Sequence, residues 1–282
     1  MDAAVATTRI RLDLSYDGTA FAGWAQQRDQ RTVQGVLTEA LEMIVRSSIA
    51  LTVAGRTDSG VHATGQVAHF DVPLTLWNRF RDGLLRRVNA VLPDDIRVHR
   101  MLVVPEEFNA RFAALRRHYR YRIDDSPEGG YDPLRRQDTL SWPRRLDLAA
   151  MNSAAQLLLG EHDFAAFCRR KPQATTIRCL QELRWERECM DAPASAPREI
   201  AVAHVAADAF CHSMVRSLVG AMLAVGESRR APEWPGELLK LSERASSVTV
   251  APAHGLTLVR VDYPDDSKLA DRSKVTRRMR DR

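Results

Sequence analysis

No apolar run in this 282-residue chain approaches the roughly 20 residues needed to cross a bilayer. The stretch from Met1 to Arg9 has no hydrophobic segment of the kind that secretory signals carry. A cytoplasmic protein is expected. Cysteine is scarce: Cys168, Cys179, Cys189 and Cys211 are the four, and none forms a CxxC pair. Neither a disulfide nor a structural zinc is therefore expected. Cys211 and His212 are adjacent, with His204 nearby, but neighbours on a strand point to opposite faces, so no metal site is assigned to them. The chain also lacks GxGxxG and Walker A loops, which excludes the glycine-rich phosphate cradles of dinucleotide and nucleotide enzymes. No Ser-His-Asp or metal-ligand constellation stands out. His62 is expected to support a loop and His162 to contact a helix terminus. Lysine is rare too: Lys171, Lys240, Lys268 and Lys274 are four of 41 basic residues, the rest being arginine.

What is present fits a globular protein with a substantial core: 45% hydrophobic and 27% charged residues, enough length for two domains, and a net charge of +5. The planar fork of arginine suits phosphate, since it binds two oxygens at once. A GC-rich genome would also inflate arginine, so its placement says more than its number.

Arg9 to Tyr16 alternates polar and apolar residues, the period of a half-buried strand. A helix follows, with an apolar stripe at Val33, Val36, Leu37, Ala40, Leu41 and Ile44 and Thr32 as its N-cap. Strands are expected at Ile49 to Val53 and Gln66 to Phe70, a helix at Leu76 to Val88, and a strand at Ile96 to Val104. In the second half, strands are expected at Arg117 to Ile123, Arg178 to Glu188, Glu199 to Val205 and Leu256 to Tyr263. Helices are expected at Asp147 to Leu159, His212 to Val225 and Glu237 to Ala245, and a Pro/Ala/Ser loop at Asp191 to Arg198. Helices between short strands imply α+β layers, with helices on one face of largely antiparallel sheet. Beyond Pro264 the chain turns polar and basic, as Lys268, Arg272, Lys274, Arg277, Arg278, Arg280 and Arg282 show. It reads as a disordered tail, with contact to RNA backbone the lesser reading.

Two short stretches carry chemistry. Ala54-Gly55-Arg56-Thr57-Asp58-Ser59-Gly60-Val61-His62-Ala63 places an arginine and a carboxylate two residues apart, bracketed by glycines that permit a tight turn. Taken alone it reads equally well as an ordinary solvated turn. Tyr119, Tyr121 and Ile123 share one strand face, opposite His118, Arg120 and Arg122. Aromatics at that spacing usually mean core, and Tyr121 is placed there.

The decapeptide closely resembles the catalytic signature of the TruA family of tRNA pseudouridine synthases. Further blocks resemble that family in the same order: Tyr16-Asp17-Gly18-Thr19 with Phe21-Ala22-Gly23-Trp24, then Thr32-Val33-Gln34-Gly35, then Phe108-Asn109-Ala110-Arg111-Phe112 with Arg117 and Tyr119-Arg120-Tyr121. Phe210-Cys211-His212-Ser213-Met214-Val215-Arg216 with Val219-Gly220, and Gly255 to Val259, complete the series. The resemblance spans about residues 9 to 264. Ala25 departs from it, standing where the family usually has glutamine after the tryptophan.

The resemblance implies isomerisation of uridine to pseudouridine at positions 38, 39 and 40 of the tRNA anticodon stem-loop. Asp58 would be the nucleophile, Arg216 the cation that keeps it ionised, Arg56 the side chain that fills the space of the flipped base, and Tyr119 the ring that stacks on it. Whether Asp58 attacks ribose C1′ or uracil C6, or the reaction passes through a glycal, stays open. No cofactor and no metal are implied, and a homodimer is. The fold implied is α+β, two similar lobes at 1–106 and 107–264 with an active-site cleft between them, followed by the tail at 265–282. A pseudouridine synthase on another RNA and a non-catalytic RNA-binding protein are the alternatives.

Overall fold

The computed structural model describes residues 6–126, 132–169, 175–190 and 198–280, with side chains to 277. The chain divides into two compact units, 1–115 with 258–282, and 116–257. Both are α+β with largely antiparallel sheet. The first unit therefore extends past the expected boundary at 106 and also takes back the residues from 258 onward.

In the first unit β1 (Thr7–Tyr16) pairs antiparallel with β3 (His62–Pro73) on one side and β4 (Ile96–Val104) on the other. Alternate residues of β1, from Ile10 through Leu12 and Leu14 to Tyr16, are buried, as a period of two requires. Between them α1 (Val33–Val45) buries Val33, Leu37, Ala40, Leu41 and Val45, and Thr32 caps it by accepting from the Gly35 N–H. The strand expected before the signature loop shrinks to β2 (Thr52–Val53), while β3 begins four residues earlier than Gln66. The helix expected at Leu76 to Val88 is two helices, α2 (Leu74–Phe80) and α3 (Leu84–Val91). Gly83, at φ 75°, turns the chain into the left-handed region and ends the first before the second begins.

The second unit carries β5 (Arg116–Asp124), β6 (Leu140–Ser141), α4 (Leu148–Gln156), β7 (Gly160–Asp163), β8 (Ile177–Cys189) and β9 (Glu199–Ala207). Its strand order is β5-β9-β8-β7, each pair antiparallel, with β6 parallel to β5. On α4, Asn152 donates to the Trp185 carbonyl and accepts from its N–H, which ties the helix to β8. α5 (Met214–Gly226) is buried along nearly its whole length and packs against α4. The helix expected at Glu237 to Ala245 is α6 (Trp234–Leu238) instead, because Pro235 fits a first helical turn and sets the start earlier. Most of the loop expected at Asp191 to Arg198 lies outside the described residues.

Two further expectations fail. Cys168 and Cys211 form a disulfide, with Cα atoms 5.8 Å apart. The Arg169 N–H donates to the His212 carbonyl at 3.0 Å, which brings the two segments side by side, 43 residues apart in sequence. The segment expected to be a disordered tail is helical. After β10 (Leu256–Asp262) comes α7 (Leu269–Arg280), in the first unit. Leu269 and Thr276 are buried and Arg272 and Ser273 half-buried, an i, i+3, i+4, i+7 face that packs on the body of the unit. None of the described helices is long and apolar enough to cross a membrane.

Candidate functional site

The signature loop hangs between β2 and β3, and its backbone is fixed from three sides. The Ala54 N–H donates to the Val67 carbonyl at 2.8 Å, the Trp24 N–H to the Thr57 carbonyl at 3.0 Å, and the Gly60 N–H to the Phe21 carbonyl at 3.3 Å. A turn within the loop is closed by the Val61 N–H on the Asp58 carbonyl, 3.2 Å. Of the two bracketing glycines only Gly60 needs to be one, at φ 77°; Gly55 has no positive φ and open space where a Cβ would stand. The stricter requirement lies outside the loop. Gly23 has φ 96°, and a Cβ there would meet the Thr57 carbonyl oxygen at 2.8 Å and the Asp58 carbonyl carbon at 3.2 Å.

Side chains complete the clamp. Tyr16 and Thr57 join their hydroxyls at 2.8 Å, and Gln66 Nε2 donates to the Gly55 carbonyl at 2.9 Å and to the Tyr16 hydroxyl at 3.2 Å. All three side chains are buried, so an unmade bond here would leave a polar group stranded, at about 1–3 kcal/mol. Burial pushes the Tyr16 phenol up to about 12, so it stays protonated. On the other side His62 Nδ1 accepts from the Gly18 N–H at 3.0 Å and lies 3.1 Å from Asp17. His62 thus supports the turn that flanks the loop.

Within this frame Thr57 is buried, Asp58 half-buried and Arg56 exposed. Arg56 lies close enough to Arg111 for like-charge repulsion, which joins burial in holding the Arg111 guanidinium below its ordinary value.

The second unit holds the other two sequence-derived candidates. Tyr119 is on β5, buried, with its ring edge-on to Phe210 at 5.2 Å. Tyr121, two residues on, is a core residue as expected: fully buried, it donates its hydroxyl to the Pro252 carbonyl at 2.8 Å. Burial drives its phenol upward, opposed by the charge of Arg216 nearby. Arg216 lies in the first turn of α5, and its Nε donates to the Ala251 carbonyl at 2.6 Å. His162, expected to contact a helix terminus, reaches instead the turn that follows α4, its Nε2 lying 2.9 Å from the Leu159 carbonyl.

Among the described residues one group has metal-ligand spacing, Glu186, Glu188 and His204, with ligand atoms within 4.8 Å of one another. Its carboxylates are already neutralised. Arg184 bonds Glu186, Arg120 approaches Glu188 at 3.8 Å, and His204 lies 2.8 Å from Glu186. We assign no metal there.

The clamp residues Tyr16, Gln66 and Gly23 were not read from the sequence as parts of a site. Tyr16 and Gly23 do stand in a block that resembles the family, and Gln66 gives a signal of its own, an amide at the head of an apolar strand where only a satisfied polar group is tolerated.

Comparison with known proteins matches residues 14–112 and 154–264 to the family described as tRNA pseudouridine synthase. The chain is 57% identical over 273 residues to tRNA pseudouridine synthase A of Frankia casuarinae, covering 96% of this chain and 95% of that one. It is 54% identical to the protein of the same name from Corynebacterium glutamicum, covering 97% and 95%. Among solved structures, a CRISPR associated protein Cas6 chain aligns at 12% identity and a TM-score of 0.24, covering 71% of this chain and 87% of that one. That likeness carries no weight.

Proposed function

The chain belongs to the tRNA pseudouridine synthase family, and we propose that it converts uridine to pseudouridine in the tRNA anticodon stem-loop with Asp58 as nucleophile. The targets are the uridines at positions 38, 39 and 40. The reaction breaks the bond from ribose C1′ to uracil N1, turns the base, and joins C1′ to C5; the C5 proton is released and N1 takes one up, so the product is an isomer of the substrate. It is redox-neutral, so it calls for no hydride carrier and no phosphate donor.

The observation that carries this reading is the state of the loop. Asp58 is half-buried at a turn whose neighbours Thr57 and Gly60 are pinned by backbone bonds, so its carboxylate is presented with little freedom to lose on binding. A carboxylate so held can take one fragment as a covalent intermediate while the other turns. Arg56, exposed on the same loop, fills the stack left by the flipped uridine, which costs a few kcal/mol to extrude. Tyr119, held edge-on by Phe210, stacks on the uracil and helps move the C5 proton. Arg216 keeps Asp58 ionised. The protein works in the cytoplasm as a homodimer.

The test is release of the C5 hydrogen from uridine-labelled tRNA, followed by mapping of the modified sites. Wild type is expected to release it at positions 38 to 40, and Asp58→Asn to release none while still binding tRNA. Undiminished release by Asp58→Asn would remove Asp58 from the chemistry, and no release by wild type from any anticodon stem-loop would remove the activity.

A further inference from the structure

α7 lies beyond the residues that match the family, which end at 264, so its role is not inherited from that match. Its packed face leaves Asp271, Lys274, Val275 and Arg277 exposed. Arg277 reaches over the ring of Phe112, its guanidinium carbon 4.9 Å from the ring centre. Arg111 reaches the same ring at 5.2 Å. Both guanidinium carbons thus lie close to one ring, inside a span comparable to the Debye length of about 10 Å at 0.1 M salt. Arg111 in turn lies near Arg56 of the signature loop. Like charges gathered this way favour an anion among them, and Lys274, one turn earlier on the exposed side, stands only 3.8 Å from Asp271, an exposed pair that a phosphate can replace.

We infer that α7 is an arm for RNA backbone: Arg277 and Lys274 bind tRNA phosphates, and Arg111 continues that cationic track to Arg56 beside Asp58. The inference rests on the tRNA-modifying activity and deepens it. The ligand chemistry is that of a phosphodiester chain. Guanidinium forks bind two phosphate oxygens each, and cations held on a helix and on an aromatic ring are ordered before the RNA arrives. Such contacts position the RNA without reading its sequence. The anchored helix also explains why so polar a segment is ordered: Leu269 and Thr276 fasten one face, and the ring of Phe112 receives Arg277.

The test compares wild type with Lys274→Gln/Arg277→Gln, and with Arg277→Glu, in tRNA binding across a salt series, with thermal unfolding as a check on folding. Both residues are exposed, so the folded state is expected to persist. Each phosphate that is no longer neutralised should make the slope of log affinity against log salt shallower by about 0.7–0.9 and weaken binding roughly tenfold at 0.1 M salt. Arg277→Glu should lose more than the neutral change at that position can. The effect should be the same for every tRNA tried.

Slopes and affinities equal to wild type would overturn the arm while leaving the enzyme intact. So would a loss of affinity that is the same at all salt concentrations, since that marks a structural defect. If wild type neither binds tRNA nor releases C5 hydrogen, the enzymatic reading itself fails, an outcome distinct from failure of the arm.

Discussion

Adding one methyl group at Gly23 should damage both the stability of the first unit and its chemistry, although Gly23 is outside the signature loop. At φ 96° an L-residue is strained, which costs about 1–3 kcal/mol. The new Cβ would also stand 2.8 Å from the Thr57 carbonyl oxygen, a backbone atom that cannot rotate away. If Thr57 retreats, the bond from the Trp24 N–H is lost, for about 1 kcal/mol more. Gly23→Ala should therefore lose roughly 2–4 kcal/mol in urea unfolding. Thr57 precedes Asp58, so the retreat carries the carboxylate with it, and a misplacement of about 1 Å is worth about 10²-fold in rate. The assay is single-turnover C5 hydrogen release at saturating tRNA, beside the unfolding curve. Gly55→Ala is the control, since a Cβ there meets nothing within 4 Å. Equal stability and rate in Gly23→Ala and wild type, or equal losses in Gly23→Ala and Gly55→Ala, would refute the reasoning.

Three further outcomes follow from single residues. Burial holds the His69 imidazole down at about 4 against an ordinary 6.5, and its Nδ1 accepts from the Ala110 N–H. The unfolded chain therefore takes up the proton first as pH falls, so this contribution to stability is full above pH 6.5 and is lost progressively toward pH 4. The loss reaches about 3 kcal/mol; unfolding curves of wild type and His69→Gln across that window should converge, and parallel curves would contradict the assignment. Tyr121→Phe strands the Pro252 carbonyl and should cost about 1–1.5 kcal/mol in urea unfolding; an unchanged midpoint would show that this bond contributes nothing. Thiol titration of denatured, unreduced protein should find the free thiols of Cys179 and Cys189 alone, and reduction should add Cys168 and Cys211; full titration without reductant would refute the pairing.

Elements set by local pattern were legible in the sequence. The stripe of α1 and its Thr32 cap, the alternation of β1, and the two-faced β5 with Tyr121 inward all follow from periods of 3.6 and 2, and all are present. Where the outcome turned on one backbone angle or one distant partner, the pattern was silent. Gly83 divides a helical stretch whose apolar spacing continues past it. The cysteines meet because the chain returns after 43 residues, a distance no spacing rule covers. Composition misled at α7, where few apolar residues suggested disorder, because Leu269, Thr276 and the stem of Arg272 suffice once a ready surface is there to receive them.

The same division runs through the site. The groups proposed to do chemistry could be named because each stands in a short block that resembles the family's, although Arg56 and Asp58 alone read equally well as an ordinary turn. The groups that hold them were not, because Tyr16 is 41 residues from Thr57 and Gln66 is 50 from Tyr16. A nucleophile's identity is written in one place in the chain, while its position is decided by strands far apart in it. This is why Gly23→Ala tests more than Asp58→Asn does. The second removes the proposed nucleophile and asks only whether it is needed, whereas the first leaves Asp58 in place and asks whether the fold is what aims it.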